Sequence, residues 1–395
     1  MITDAHWKRI GGFRRHHGIC VPLFSFHTKD TPRGDFYTLF LLIDWCKKVG
    51  FDCIQLLPLN DSGNDPSPYN PMNACSLDPV YIHVPDLKLS RDLSRQEIKE
   101  LKRNRSQEEA IQQLKEVKEY AEKQGVLLIG DIPILVSPES VDVKEHPTLF
   151  DQSLVAGAPP DPYCQTGQKW GFPLFNWEAM ERAGYPWWRK RLRFAEQFFH
   201  LYRIDHVVGF FRIWAIPKDA PATDGHFLPG DYRQWEAHGK KILEMMIGAT
   251  SMLPMAEDLG TIPDFVPCVL KELGICGTKV MRWQNIPPSR YEPLSLTTVS
   301  TADMEPLQVW KPDLTIAERR EILTSSHHSA SLFHINLLQE YLALFPDLVS
   351  SDSQKERINI PGTVNSTNWN YRFTPSLEEI MEHRELAKEI QRMVE

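Results

Sequence analysis

Short runs of apolar and β-branched residues recur along this chain, and between them apolar positions return every three to four residues. The runs are GICVPLFSF (18–26), FDCIQLLPL (51–59), VLLIGDIPIL (126–135) and LYRIDHVV (201–208), then SMLPMAEDL (251–259), GTKVMRW (277–283), LSLTTVSTAD (294–303) and RINIPG (357–362). Near-continuous hydrophobicity, as opposed to strict alternation, suits strands covered on both faces, as in a parallel sheet. DFYTLFLLIDWCKKVG (35–50) has helical spacing, Lys47 and Lys48 in its last turn, and Gly50 as a stop. Ser94 with Glu97, and Ser106 with Glu109, fit the S-x-x-E capping box ahead of charged amphipathic stretches. PDFVPCVLKELG (263–274) again ends on glycine, and SLEEIMEHRELAKEIQRMVE predicts one closing helix capped by Ser376 and Glu379. Eight strands alternating with helices predict an α/β fold of the TIM (β/α)8 barrel type. A doubly wound open sheet is the alternative, but no strand is followed by GxGxxG or a Walker loop. A single domain over 1–395 is expected, with 60–125 and 136–195 as insertions flanking a cleft.

Barrel enzymes keep their chemistry at the C-terminal ends of the strands. In this sequence acidic residues gather there: Asp131 near the end of the third run, Asp205 in the fourth, Glu257 and Asp258 in the fifth, Asp303 in the seventh. Clustered carboxylates repel and raise one another's pKa, a cost that folds usually tolerate for function. Within RID, Arg203 and Asp205 are two positions apart and share the inward face of a strand. A lone buried carboxylate is costly, so the two are expected to pair. His206 would face the other way unless the strand ends before it.

Composition narrows the function classes. With 44 basic and 52 acidic residues the chain carries −8, which lacks the electrostatic footprint of a nucleic-acid or anionic-membrane binder. No run reaches the length of a membrane span, and MITDAHWKRIGG lacks the apolar core of a signal peptide. Cysteines 20, 46, 53, 75, 164, 268 and 276 are odd in number and scattered mostly through apolar runs. They read as free thiols of a reducing compartment, and a cytoplasmic location is expected. Without a CxxC pair or an HExxH helix, no metal is expected, nor any other cofactor. Eleven Trp supply flat faces suited to core packing or to sugar rings.

Six blocks carry a family resemblance: LPLNDSGNDPSPYNPMNACSLDPVYI (57–82), GDIPILVSPESVDV (130–143), VAGAPPDPYCQTGQKWGFPLFNW (155–177), RIDHVVGFFRIWAIP (203–217), MAEDLGTIPDFV (255–266) and NSTNWNYR (365–372). In this order they resemble the 4-α-glucanotransferases, the amylomaltase or disproportionating-enzyme family. The resemblance implies a TIM barrel and retaining chemistry on α-1,4-glucans, with maltooligosaccharides and dextrins as donor and acceptor. It implies Asp205 as nucleophile, held ionised by Arg203, Glu257 as a general acid/base of raised pKa, and Asp303 as a third carboxylate gripping ring hydroxyls. It further implies Tyr69 stacking on the sugar at the cleavage point, and Asp161, Tyr163 and Trp170 on a loop that folds over the cleft and excludes water. Asp131 and His206 are expected in the substrate site, and Asn368 and Trp369 either as its wall or in core or surface packing. An amylase-type hydrolase and a catalytically impaired glucan-binding protein remain as alternatives.

The chain departs from the family pattern in two places. STADMEP has Ala302 where the family ordinarily carries a histidine before the third carboxylate. Between PDLKLS (85–90) and VLLIGDIPI (126–134) the family's larger helical insertion is shortened to a stretch with room for two short helices.

Overall fold

The computed structural model describes residues 1–85, 87, 93–160 and 165–395. Eight parallel strands form one sheet: β1 (His16–Val21), β2 (Cys53–Leu56), β3 (Leu127–Ile132), β6 (Leu201–Ile204), β9 (Leu253–Ala256), β10 (Gly277–Val280), β11 (Ser295–Thr298) and β12 (Phe333–Leu337). Their spatial order is β10-β11-β12-β1-β2-β3-β6-β9. The two edges meet where Met255 bridges Cys276 and the Ala256 N–H donates to the Cys276 carbonyl at 2.7 Å, which closes the barrel. Gly130 in β3 lies against Phe199, and an added Cβ would come 2.3 Å from that ring, so the strand passes there only without a side chain.

The first seven apolar runs each contain or overlap a barrel strand. The eighth does not: 357–362 is irregular, and the eighth strand is β12. FHINL escapes a continuous-apolar pattern because His334 and Asn336 interrupt it, yet both are buried and hydrogen-bonded inside the protein. A second, antiparallel sheet in the order β5-β4-β7-β8 also went unread; its members are β4 (Phe150–Ala158), β5 (Gln168–Phe175), β7 (Ile213–Pro217) and β8 (His226–Leu228). Glycine and proline in VAGAPP and WGFP resemble loop punctuation; Pro159 and Pro160 do lie past the end of β4, whereas Gly157 and Pro173 are paired in a ladder with shifts of register between β4 and β5.

Helices follow the predicted signals more closely. Thr38–Val49 stops on Gly50, whose φ of 90° is the left-handed geometry a glycine C-cap adopts. Capping boxes form at Ser94 and Ser376, and Ser106 accepts from the Glu109 N–H. Between β2 and β3 run Arg95–Leu101 and the 18-residue helix Gln107–Gln124, longer than the predicted short pair. The longer helix packs on Thr38–Val49 through Phe40 and Tyr120, whose hydroxyl donates to Asp44 at 2.6 Å. The predicted closing helix is two, Leu377–Glu382 and Arg384–Val394, because His383 leaves helical geometry and its Nδ1 caps the Leu386 N–H. No described helix is long and apolar enough to cross a membrane.

Candidate active site

The cleft lies at the C-terminal mouth of the barrel and encloses about 610 Å³ of empty space, part of it open solvent. Tyr69, Asp131, Arg203, Glu257, Ala302 and Asp303 contribute to its walls. Arg203 in β6 organises the centre. Its Nη1 donates to both oxygens of Asp131, at 2.7 and 2.9 Å, and to Asp205 Oδ1 at 3.2 Å. Its Nη2 lies 2.7 Å from Glu257 Oε2. The expected Arg203–Asp205 pair is thus one edge of a four-membered cluster in which a single cation answers three carboxylates.

That imbalance sets the electrostatics. Burial pushes the Asp205 carboxyl up to about 6, against the pull of Arg203, and it pushes Asp131 up to about 6 in the same way. Asp303 is also raised by burial. Arg203 was expected to hold Asp205 ionised; its pull is outweighed by desolvation, and the guanidinium is divided among three partners.

The local backbone explains why these groups converge. β6 ends at Ile204, so Asp205 is the first residue beyond it, and Glu257 likewise follows β9 directly. His206 then adopts φ 44°, a left-handed turn rare for a residue with a side chain. The turn brings its N–H onto Glu257 Oε2 at 2.8 Å, and its ring meets Trp170 of β5 edge-on with centroids 5.0 Å apart. Burial holds the His206 imidazole neutral, lowering it to about 4. The Ile134 N–H donates to the other oxygen of Asp205 at 3.0 Å.

Tyr69 donates its hydroxyl to Asp131 Oδ2 at 2.7 Å, and its ring lies beside that of Trp369, centroids 5.4 Å apart. Trp369 also sits at a left-handed φ, 62°. Asn368 does not offer its amide to the cleft. The side chain accepts from the Ile360 N–H at 3.1 Å and donates to the Thr363 carbonyl at 3.0 Å, which secures the loop that carries Trp369. Asp161 and Tyr163 lie outside the described residues. Sequence reasoning missed Asn359, whose Nδ2 donates to Asp303 Oδ1 at 2.6 Å; the stretch holding it was read as a strand. Asp258 turns away from the cluster and accepts from the Thr278 N–H at 2.6 Å. Among the described residues, one group of ligand-type side chains lies elsewhere, His16, Asp52 and Cys53 at the N-terminal ends of β1 and β2. Asp52 is already engaged there by Arg14, His16 and the His17 N–H.

The family model described as 4-alpha-glucanotransferase matches residues 21–109 and 103–378. The chain belongs to the 4-alpha-glucanotransferase family. It is 36% identical to the 4-alpha-glucanotransferase of Chlamydia pneumoniae over 516 positions, covering 99% of this chain and 97% of that protein. With the Chlamydia caviae 4-alpha-glucanotransferase it shares 35% identity, covering 95% and 94%. Its fold resembles an amylomaltase from Streptococcus agalactiae in complex with acarbose, with TM-score 0.79 at 20% identity over 96% of this chain and 98% of that one. It also resembles an amylomaltase from Corynebacterium glutamicum, with TM-score 0.82 at 18% identity over 100% of this chain and 76% of that one.

Pairing 516 positions with a chain of 395 residues leaves more than a hundred positions of the chlamydial 4-alpha-glucanotransferase without a counterpart. The two matched segments of the family model overlap at 103–109, which runs from the turn after Arg95–Leu101 into the start of Gln107–Gln124.

Proposed function

We propose that this protein transfers α-1,4-linked glucosyl segments from a maltooligosaccharide or glucan donor to a second glucan by retaining double displacement. The observation that carries the reading is the cluster around Arg203, in which two candidate reacting carboxylates, Asp205 and Glu257, sit on one guanidinium at the mouth of a barrel. Such sharing favours the close placement that retention needs, roughly 5–5.5 Å, over the wider gap that admits an attacking water.

In the first step an Asp205 oxygen bonds the anomeric carbon as the glycosidic bond breaks, and a proton on Glu257 passes to the departing 4-oxygen. In the second, the 4-hydroxyl of the acceptor attacks that carbon, gives its proton to Glu257, and releases the Asp205 carboxylate. Asp303, held by Asn359, accepts from ring hydroxyls as positive charge develops. Tyr69 and Trp369 give the sugar an aromatic face, and Trp170 caps His206 where an acceptor would arrive. An acceptor seated there excludes water, which favours transfer over hydrolysis.

In this reading the chain works as one catalytic unit, with 60–125 and 136–195 supplying the flanks that carry Tyr69 and Trp170. A cytoplasmic location fits the free, buried thiols Cys20, Cys46, Cys53 and Cys276.

Incubation of the purified protein with maltotriose, followed by chromatography over time, tests the proposal. A ladder of shorter and longer maltooligosaccharides is expected. Glucose and maltose without longer chains would identify a hydrolase, and glucan binding without turnover at high enzyme concentration would identify a binding protein.

A further inference from the structure

We infer that Glu340 is a positioning residue, a clamp that holds both ends of the loop presenting Asp303 to the cleft. The inference rests on the role for Asp303 proposed above. Glu340 belongs to the short helix Leu338–Leu342 that follows β12 without a break, so the last strand of the barrel sets its position. It is 2% exposed. One oxygen, Oε1, accepts from the Ser300 hydroxyl and from the Leu307 N–H at 3.1 Å, and Oε2 accepts from the same N–H at 3.0 Å. One buried carboxylate therefore ties residue 300, just past β11, to residue 307, where the next helix begins.

Asp303 lies between those anchors, and its neighbours are tied down as well. Asn336 of β12 accepts from the Val299 N–H at 2.9 Å, Arg357 pairs with Glu305 at 3.0 Å, and Arg282 donates to the Glu305 carbonyl at 2.6 Å. A buried carboxylate without a direct ion pair persists only when its lone pairs are satisfied. Here donors from the loop itself satisfy them, so the loop's shape and the buried charge depend on each other. Burial raises the Glu340 carboxyl above the usual range, against the hydrogen bonds from Ser300 and the Leu307 N–H and the charges of Arg282 and Arg319.

Glu340→Gln tests this, because the amide keeps the shape but replaces one of the two acceptor oxygens with a donor. Both carboxylate oxygens lie within hydrogen-bond range of the Leu307 N–H, so either orientation of the amide sets an NH2 against that donor. In the full chain acting on maltotriose, kcat is expected to fall about 10- to 100-fold with KM within about twofold. In an Asp303→Asn background the same change is expected to lower kcat less than about threefold further, since the group it positions is already gone. A folded Glu340→Gln protein with kcat within about twofold of the parent would overturn the inference, as would losses that multiply in the double variant. Should Glu340→Gln fail to fold, Ser300→Ala removes one anchor by deleting a hydroxyl: a fall of about three- to tenfold in kcat is expected, and an unchanged kcat overturns the clamp. Full activity in Asp303→Asn alone would instead remove the proposed role of Asp303.

Discussion

Asp205→Asn is expected to lower kcat on maltotriose by at least about 10,000-fold, the scale on which loss of a covalent nucleophile is felt. The amide is isosteric and its oxygen can still accept from the Ile134 N–H. Arg203 retains Asp131 and Glu257, so the protein is expected to fold and to bind glucan. What disappears is the anionic oxygen proposed to bond the anomeric carbon. The parent enzyme has a matching pH signature. Burial raises Asp205 from its ordinary 3.8 to about 6, so below that pH the folded enzyme carries a protonated, non-nucleophilic acid, and above it a carboxylate. Asp131 shares the same guanidinium and is raised alongside it, so the two titrate together. The kcat/KM on maltotriose is therefore expected to rise with pH through a limb centred near 6, well above the range of an exposed aspartate. Retention of more than about 1% of parental kcat in Asp205→Asn would place the nucleophile elsewhere.

Much of this site was legible because acidic residues at the ends of apolar runs mark a barrel mouth: Asp131, Asp205 and Glu257 lie at or directly beyond strand ends, whereas β11 stops at Thr298 and Asp303 sits in the loop that follows. The second partners of those groups were not legible. Arg203 was expected to serve Asp205 two residues away, but its shortest contacts cross to Asp131 on β3 and Glu257 after β9. Such pairings depend on which strands are neighbours, a property of the closed sheet that sequence spacing does not carry. The misplaced last strand had a similar cause. β12 buries polar residues that its neighbours satisfy, Asn336 by Ser326 and Tyr341 and His334 by the His16 carbonyl, so a hydrophobicity pattern passes over it. RINIPG looked strand-like because Ile358 is buried, yet the segment delivers Asn359 to Asp303. Asn359 and Glu340 were thus hidden by the same error, since both depend on knowing where the eighth strand runs.

Ala302→His is expected to raise kcat by about 100- to 1,000-fold, the usual worth of one well-placed donor to a transition state. Ala302 is buried in the cleft wall beside Asp303, and Thr278, Thr298, Ser300 and Thr301 surround the same space. That side of the wall is built of small side chains, so it offers methyl groups and hydroxyls where an imidazole N–H would reach further into the cleft. A neutral histidine there would donate to a ring hydroxyl, and the bond would strengthen as the anomeric centre becomes cationic. The gain should appear in kcat with little change in KM, because the interaction differs between ground and transition states. Inserting bulk into a packed wall costs about 1–3 kcal/mol of stability, and a lowered Tm is expected alongside the faster turnover. Ala302→Leu separates the two effects: its bulk is comparable but it has no donor, so it should lower Tm without raising kcat. If histidine and leucine leave kcat alike, this side of the cleft contributes shape and not charge stabilisation, and the transition state depends on the carboxylates and Arg203 alone.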